Sequence, residues 1–119
     1  MQSLRTKLTE NAYKKYREQN PNVPCFLCDK KIQQVVKRFK HFVIVENHFP
    51  YDAVASESLI IFPKRHVTES ELSREEQEEF MRLKTENKFV RSFDYILTGM
   101  AKTSIPAHFH AHLVKLKHR

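Results

Sequence analysis

The sequence predicts an α+β fold built on a largely antiparallel sheet. Two amphipathic segments, residues 3–19 and about 68–87, have helical spacing, and most of the strand-like runs follow one another without the alternating helices that a parallel sheet needs. A length of 119 residues allows one modest core and not two. The composition, 40% hydrophobic with nine Phe and four Tyr, is that of a chain that folds throughout, and a single glycine excludes a glycine-loop or low-complexity design.

The elements follow in order. Residues 3–19 are good helix formers with Leu4, Leu8, Ala12, Tyr13 and Tyr16 three or four apart, which predicts one amphipathic helix ended by Pro21 and Pro24. Two β-branched and aromatic runs near 33–37 and 41–46 flank a basic turn at Arg38–Lys40 and read as a hairpin. "HFPYDAVASE" is a loop turning at Pro50, and "SLIIF" is an apolar strand that stops at Pro63. From Thr68, "TESELSREEQEEFMRLKTEN" reads as a long helix capped by Ser70 or Ser73, with glutamates at the positive end of its dipole. Leu72, Phe80 and Leu83, joined by Met81 and Phe89, form its apolar stripe, and the acidic run is read as its solvated face. "FDYILTGM" and "AHFHAHLVKL" supply the last two strands. No repeat or linker divides the chain.

Twenty-one Lys and Arg against fourteen Asp and Glu give a net charge of +7, which attracts anionic partners such as nucleotides, nucleic acid or lipid head groups. No apolar run has the roughly 20 residues needed to span a bilayer, and the first twenty residues lack the apolar centre of a signal peptide. The expectation is a cytoplasmic protein with no membrane partner. Cys25 and Cys28, the only cysteines, form a C-x-x-C pair that reads as a metal half-site or a redox pair.

The most chemical stretch is "AHFHAHLV". On a strand, His108, His110 and His112 share one face while Phe109, Ala111 and Leu113 take the other. Imidazoles about 7 Å apart can ligate a metal, or the middle one can act as a nucleophile whose neighbours fix its tautomer and handle protons. The acids of this chain lie mostly in the 69–79 segment, which leaves a catalytic metal short of carboxylates, and Lys102, Lys115 and Lys117 flanking the histidines suit an anionic phosphate.

"HFHAHLV" resembles the signature of the histidine-triad superfamily of nucleotide hydrolases and transferases. "CFLC", "VIVENHFPYD" and "LIIFPKRHV" are similar to other segments of that superfamily in order and spacing, so the resemblance covers about residues 24–117. It implies a helical extension over 1–20 and a triad-type domain over 21–119, with an antiparallel sheet and a long helix packed on it. By resemblance His110 attacks the α-phosphorus of a nucleoside phosphate, dinucleoside polyphosphate or phosphoramidate, giving a nucleotidyl-histidine that water hydrolyses. His112 contacts the phosphate or leaving group, and His108 braces the site. Asn47 lies near the nucleoside and Ser104 near the phosphate or leaving group, with Phe49, or else the neighbouring Val45 and Ile44, walling the base. Catalysis requires no cofactor. A structural zinc would take Cys25, Cys28 and His108, with His48 or a water as the fourth ligand, and the family's usual state is a homodimer. Some relatives act on adenylylated nucleic-acid ends, although no separate nucleic-acid motif is visible. A nucleotide-binding module with little catalysis is the other reading, because Ser58 stands where the family carries a further histidine. His66 reads as a strand-exit or helix-approach residue rather than a ligand, Lys64 and Arg65 as surface charges, and His41 as an ordinary strand residue.

Overall fold

A computed structural model describes residues 3–21, 25–100 and 105–117. It contains α1 (Lys7–Gln19), β1 (Val35–Arg38), β2 (Phe42–Glu46), β3 (Ala55–Pro63), α2 (Arg74–Glu86), β4 (Tyr95–Leu97) and β5 (Ala111–Leu116), with single 3-10 turns at Phe26–Cys28, Glu69–Glu71 and Val90–Ser92. The five strands form one sheet in the order β1-β2-β3-β5-β4, and every neighbouring pair is antiparallel. The expected α+β class and antiparallel sheet are therefore present.

The expected long helix is not. Thr68 and Ser73 each make a complete capping box, with Glu71 and Glu76 respectively, so the segment starts twice: once as the 3-10 turn and again as α2, thirteen residues long. Ser73, not Ser70, caps the helix, and its hydroxyl accepts from the Glu76 amide. The acidic run is not wholly solvated either. Glu76 and Glu79 are buried: Glu76 Oε1 accepts from the Ser73 amide, and Glu79 Oε1 accepts from the amides of His41 and Phe42, tying the helix to the start of β2. Leu72 and Leu83 are core residues as expected, with Phe80 and Phe89 packed against them, while Met81 is exposed.

Strand ends differ from the sequence expectation where pairing partners run out. β3 begins at Ala55 rather than Ser58 because Leu116 remains available opposite it. β5 begins at Ala111, opposite Ile61, so His108 and His110 precede the paired strand. There Pro63 has no N–H to continue a ladder, and Phe109 N donates instead to Val67 O at 2.7 Å. Between residues 93 and 100 only Tyr95–Leu97 pair with β5.

Alternation divides the buried residues between two faces. Phe42, Ile44, Leu59, Ile61, Ala111 and Leu113 face α2 and join Leu83 and Phe93 in the larger core. Val43, Val45, Ile60 and Phe62 face the other way and pack with Cys25 and Leu27. That second face also carries the histidines, since Ile60 is the register partner of His112 and the Phe62 ring lies edge-on to His108 at 5.4 Å.

Helix α1 docks through only the aromatic part of the stripe read from the sequence. It buries no residue, and Leu8 is 82% exposed. Tyr13 and Tyr16 make its contacts, lying 5.0 and 5.5 Å from the Phe49 ring, and Tyr16 meets Phe26 edge-on. Hydrogen bonds to the β2–β3 loop do the rest: the Thr6 amide and the hydroxyls of Thr6 and Thr9 donate to Asp52, Arg5 Nε donates to Phe49 O at 2.7 Å, and Ala53 N donates to Leu4 O. Among the described residues no helix is long and apolar enough to cross a membrane.

Candidate functional site

The alternation expected of the triad holds although only His112 lies within a paired strand. His108, His110 and His112 are all buried, and Phe109, Ala111 and Leu113 join the opposite core. The rings of His110 and His112 meet nearly perpendicular at 5.3 Å.

Each of the first two histidines has its tautomer set by a backbone carbonyl, which can only accept. His110 Nδ1 lies 3.1 Å from His108 O, so Nδ1 carries the proton and Nε2 keeps a lone pair. His108 is the reverse case: its Nε2–H donates to Pro63 O at 2.9 Å, which leaves Nδ1 unprotonated. Burial lowers the proton affinity of both rings against these carbonyls, and the charge of Arg5 adds to the effect at His110. For His112, burial and then the charges of His110 and Arg5 bring the pKa down to about 3, so this imidazole is neutral at physiological pH.

The free Nδ1 of His108 faces sulfur. It lies 3.4 Å from Cys25 Sγ and 3.5 Å from Cys28 Sγ, and Cys28 Sγ lies 3.3 Å from His66 Nδ1. Donor atoms of Cys25, Cys28, His66 and His108 all fall within 4.8 Å of one another. A tetrahedral ion with bonds of about 2.0–2.3 Å has donor-to-donor edges of about 3.3–3.8 Å, and the three measured contacts have that length. The set of two sulfurs and two imidazole nitrogens is one that zinc favours. The carbonyl behind His108 Nε2 also fits, because a ligating imidazole needs its other nitrogen protonated and held. This group of four can hold a metal ion. Burial, and then Cys25 beside it, push the Cys28 thiol up to about 11, and a bound cation would favour its thiolate.

His66 does leave β3 as expected, but that exit places it among the four possible donors, with its ring centroid 4.9 Å from that of His108, so the reading of it as no ligand candidate is corrected. His48 is not near enough to serve; its Nε2–H donates to Ile32 O at 2.7 Å. His41 lies in the turn before β2 rather than inside a strand, and Arg65 is exposed as expected of a surface charge while making two hydrogen bonds to the buried Glu76.

Asn47 has loop duties. Its Oδ1 accepts from Phe49 N at 3.0 Å and its Nδ2 donates to Ser58 Oγ at 3.4 Å. Ser58 therefore supports the β2–β3 loop, also lying 3.5 Å from Tyr51 N, and among the described residues none of its hydrogen bonds reaches a histidine. Ile44 and Val45 cannot both wall a base, since they are fully buried on opposite faces of the sheet, while Phe49 packs among Tyr13, Tyr16 and Phe26. Ser104 and Lys102 lie outside the described residues. Sequence reasoning missed Tyr51, whose hydroxyl lies 3.0 Å from His112 Nε2 with the two rings 4.3 Å apart.

A recess of about 150 Å³ opens at His108 and His110, bounded by Glu69, Thr98, Gly99 and Ile105–Pro106. Ile105 and Pro106 also line a neighbouring cavity of about 570 Å³ between α1 and the Cys25–Phe26 turn. The larger space is not lined by the triad itself, and its volume is in the range of small-molecule sites. No protein-family model and no curated protein matches the chain.

Proposed function

We propose that the protein is a nucleotide hydrolase or nucleotidyl transferase acting at the α-phosphate of a nucleoside phosphate, a dinucleoside polyphosphate or a nucleoside phosphoramidate. The observation that carries this reading is the hydrogen bond from His110 Nδ1 to His108 O, which leaves Nε2 of a buried, neutral imidazole as a lone pair beside an open recess. In the reaction Nε2 forms a bond to phosphorus while the P–O or P–N bond to the leaving group breaks, and the leaving group takes up a proton. Water then attacks the same phosphorus, releases the nucleotide and restores His110. A net charge of +7 favours the approach of such anions.

In this reading Cys25, Cys28, His66 and His108 hold a structural zinc, whose chemistry is to fix the backbone that carries the triad. No step passes through it. The functional unit is a cytoplasmic homodimer. The test is His110→Ala: turnover of a panel of adenosine and guanosine substrates falls by at least about 1,000-fold, with nucleotide affinity retained. Unchanged turnover overturns the mechanism.

A second reading, a nucleotide-binding module without catalysis, has one specific observation in its favour. Ser58 is committed to Asn47 and the Tyr51 amide, so the triad has no additional hydrogen bond from that position. Binding without product across the whole panel decides for the module.

A further inference from the structure

Hydrolysis of a nucleotidyl-histidine needs a group that takes the proton of the attacking water, and the triad has none to spare. His110 Nδ1 is tied to His108 O, and its Nε2 is the atom bonded to phosphorus at that stage. His108 has both nitrogens engaged, Nε2 with Pro63 O and Nδ1 with the sulfurs of Cys25 and Cys28. His112 Nε2 lies 3.0 Å from the Tyr51 hydroxyl and its Nδ1 is buried. Among the described residues, the wall of the recess at His110 does not include His112.

That wall does hold one carboxylate among the described residues, Glu69. Resting on the reading of His110 as the group that attacks phosphorus, we propose that Glu69 is a further catalytic residue, the general base of the second half of the reaction. Its carboxylate takes a proton from water as the water oxygen bonds to phosphorus. The P–Nε2 bond breaks, its electron pair returns to His110, and the nucleotide leaves with the new oxygen. Glu69 is exposed, so the proton it has taken passes on to solvent.

The backbone sets the place of Glu69. Phe109 N donates to Val67 O at 2.7 Å, which lays residues 67–69 beside 108–110. Glu69 then opens the 3-10 turn Glu69–Glu71, which is fixed by the Thr68 capping box and by Leu72 N donating to Glu69 O. Its neighbours in the acidic run are committed. Glu71 Oε1 accepts from the Thr68 amide and hydroxyl, and Glu76 and Glu79 accept from backbone amides of Ser73, His41 and Phe42. The Glu69 carboxylate, among the described residues, makes no hydrogen bond or ion pair. The recess of about 150 Å³ is smaller than a site for a whole ligand. It suits a phosphoryl group and a water, and what enters it sits between walls supplied by Glu69 and His110. A carboxylate there repels an anionic phosphoryl group and adds nothing to its binding. Its presence makes sense in a step that gives it a proton.

The test is Glu69→Gln, which keeps the shape of the side chain and removes the base. The substrates are the para-nitrophenyl esters of AMP and GMP, whose leaving group departs without needing a proton. The native protein releases nitrophenolate steadily. In the variant one equivalent per chain is released at the native rate, and the steady rate then falls about 100-fold. Intact mass shows the nucleotidyl group retained on the variant, and hydroxylamine, a nucleophile with less need of a base, restores turnover. His110→Ala forms no such adduct. A Glu69→Gln variant with the native steady rate overturns the role of Glu69, as does one in which the burst and the steady rate fall together without an adduct; either result leaves His110 in place. A native protein that yields neither nitrophenolate nor adduct from these esters overturns the His110 reading itself, and the Glu69 step with it.

Discussion

Helix α2 packs on one face of the sheet, whereas α1, also thirteen residues long, is held by the β2–β3 loop and Phe26. On one face α2 buries Leu83, Glu76 and Glu79 against an apolar cluster with twelve buried members. Helix α1 buries no residue, and on the other face the apolar cluster has six buried members among the described residues. With about 1.5–3 kcal/mol for each fully buried aliphatic or aromatic side chain, the α2 face supplies most of the hydrophobic stabilisation. The opposite face spends its buried positions on His108, His110, His112, Ser58 and Cys25. Polar groups are tolerable there because nearly all of them are hydrogen-bonded to backbone, to one another or to the β2–β3 loop. One layer of the molecule makes the sheet stable, and the other positions chemistry on it.

The comparison breaks first at the Cys25–Cys28–His66–His108 group, where the chemical face acquires structural weight. If these residues bind zinc, stripping it with a chelator removes about 4 kcal/mol of stability at a free metal level 1,000-fold above the Kd. Thermal unfolding followed with and without chelator measures this, together with metal content. Cys28→Ser abolishes the difference; a native protein free of metal, with the same midpoint in both conditions, refutes the site. The next effect belongs to the α2 face. Leu83→Ala, in the larger core, costs about 3 kcal/mol in denaturant titration, while kcat at a temperature where the variant is folded stays within about twofold of the native value because the change lies on the far side of the sheet. A large loss of kcat in the folded variant would show that the two faces are coupled.

Much of this division was legible in the sequence, and the exceptions have physical causes. The triad's alternation and the Cys25–Cys28 pair are short-range patterns, and a period of two survives even where His108 and His110 lie outside the paired strand. His66 is different: nothing local marks it as a donor. Its place beside Cys28 and His108 follows from the antiparallel register of β3 with β5, in which Ile61 opposite Ala111 brings the residues after Pro63 beside those before Ala111. Leu8 satisfied a helical stripe yet points to solvent, because α1 is anchored by its capping residues and two tyrosines rather than by its aliphatic side chains. Tyr51 sits in a loop, where no period announces which side chain will turn inward. Glu76 and Glu79 fell in a run whose composition says solvent, and only the need of cap and strand-start amides for acceptors draws them in.

Glu76 gives the smallest effect and the most specific signature. Its carboxylate accepts two hydrogen bonds from Arg65, at 3.0 and 2.6 Å, and one from the Ser73 amide. The Arg65 bonds, with the help of the Ser73 cap, hold its pKa down to about 2 despite burial. A carboxyl whose folded pKa is depressed stabilises the fold above its unfolded pKa of about 4.3, and that contribution disappears as pH falls towards 2. Arg65 is half-exposed, so water screens the pair and reduces its worth. Glu76→Gln therefore costs about 2 kcal/mol at pH 7. Between pH 4.5 and 2 the native curve descends towards that of the variant, so the gap between them narrows. This closing gap separates a charge effect from a packing effect: Leu83→Ala runs parallel to the native protein across the same range. A Glu76→Gln curve that also stays parallel would show that the carboxylate acts by shape and hydrogen-bond count alone, and would remove the ion pair from the description of the α2 face.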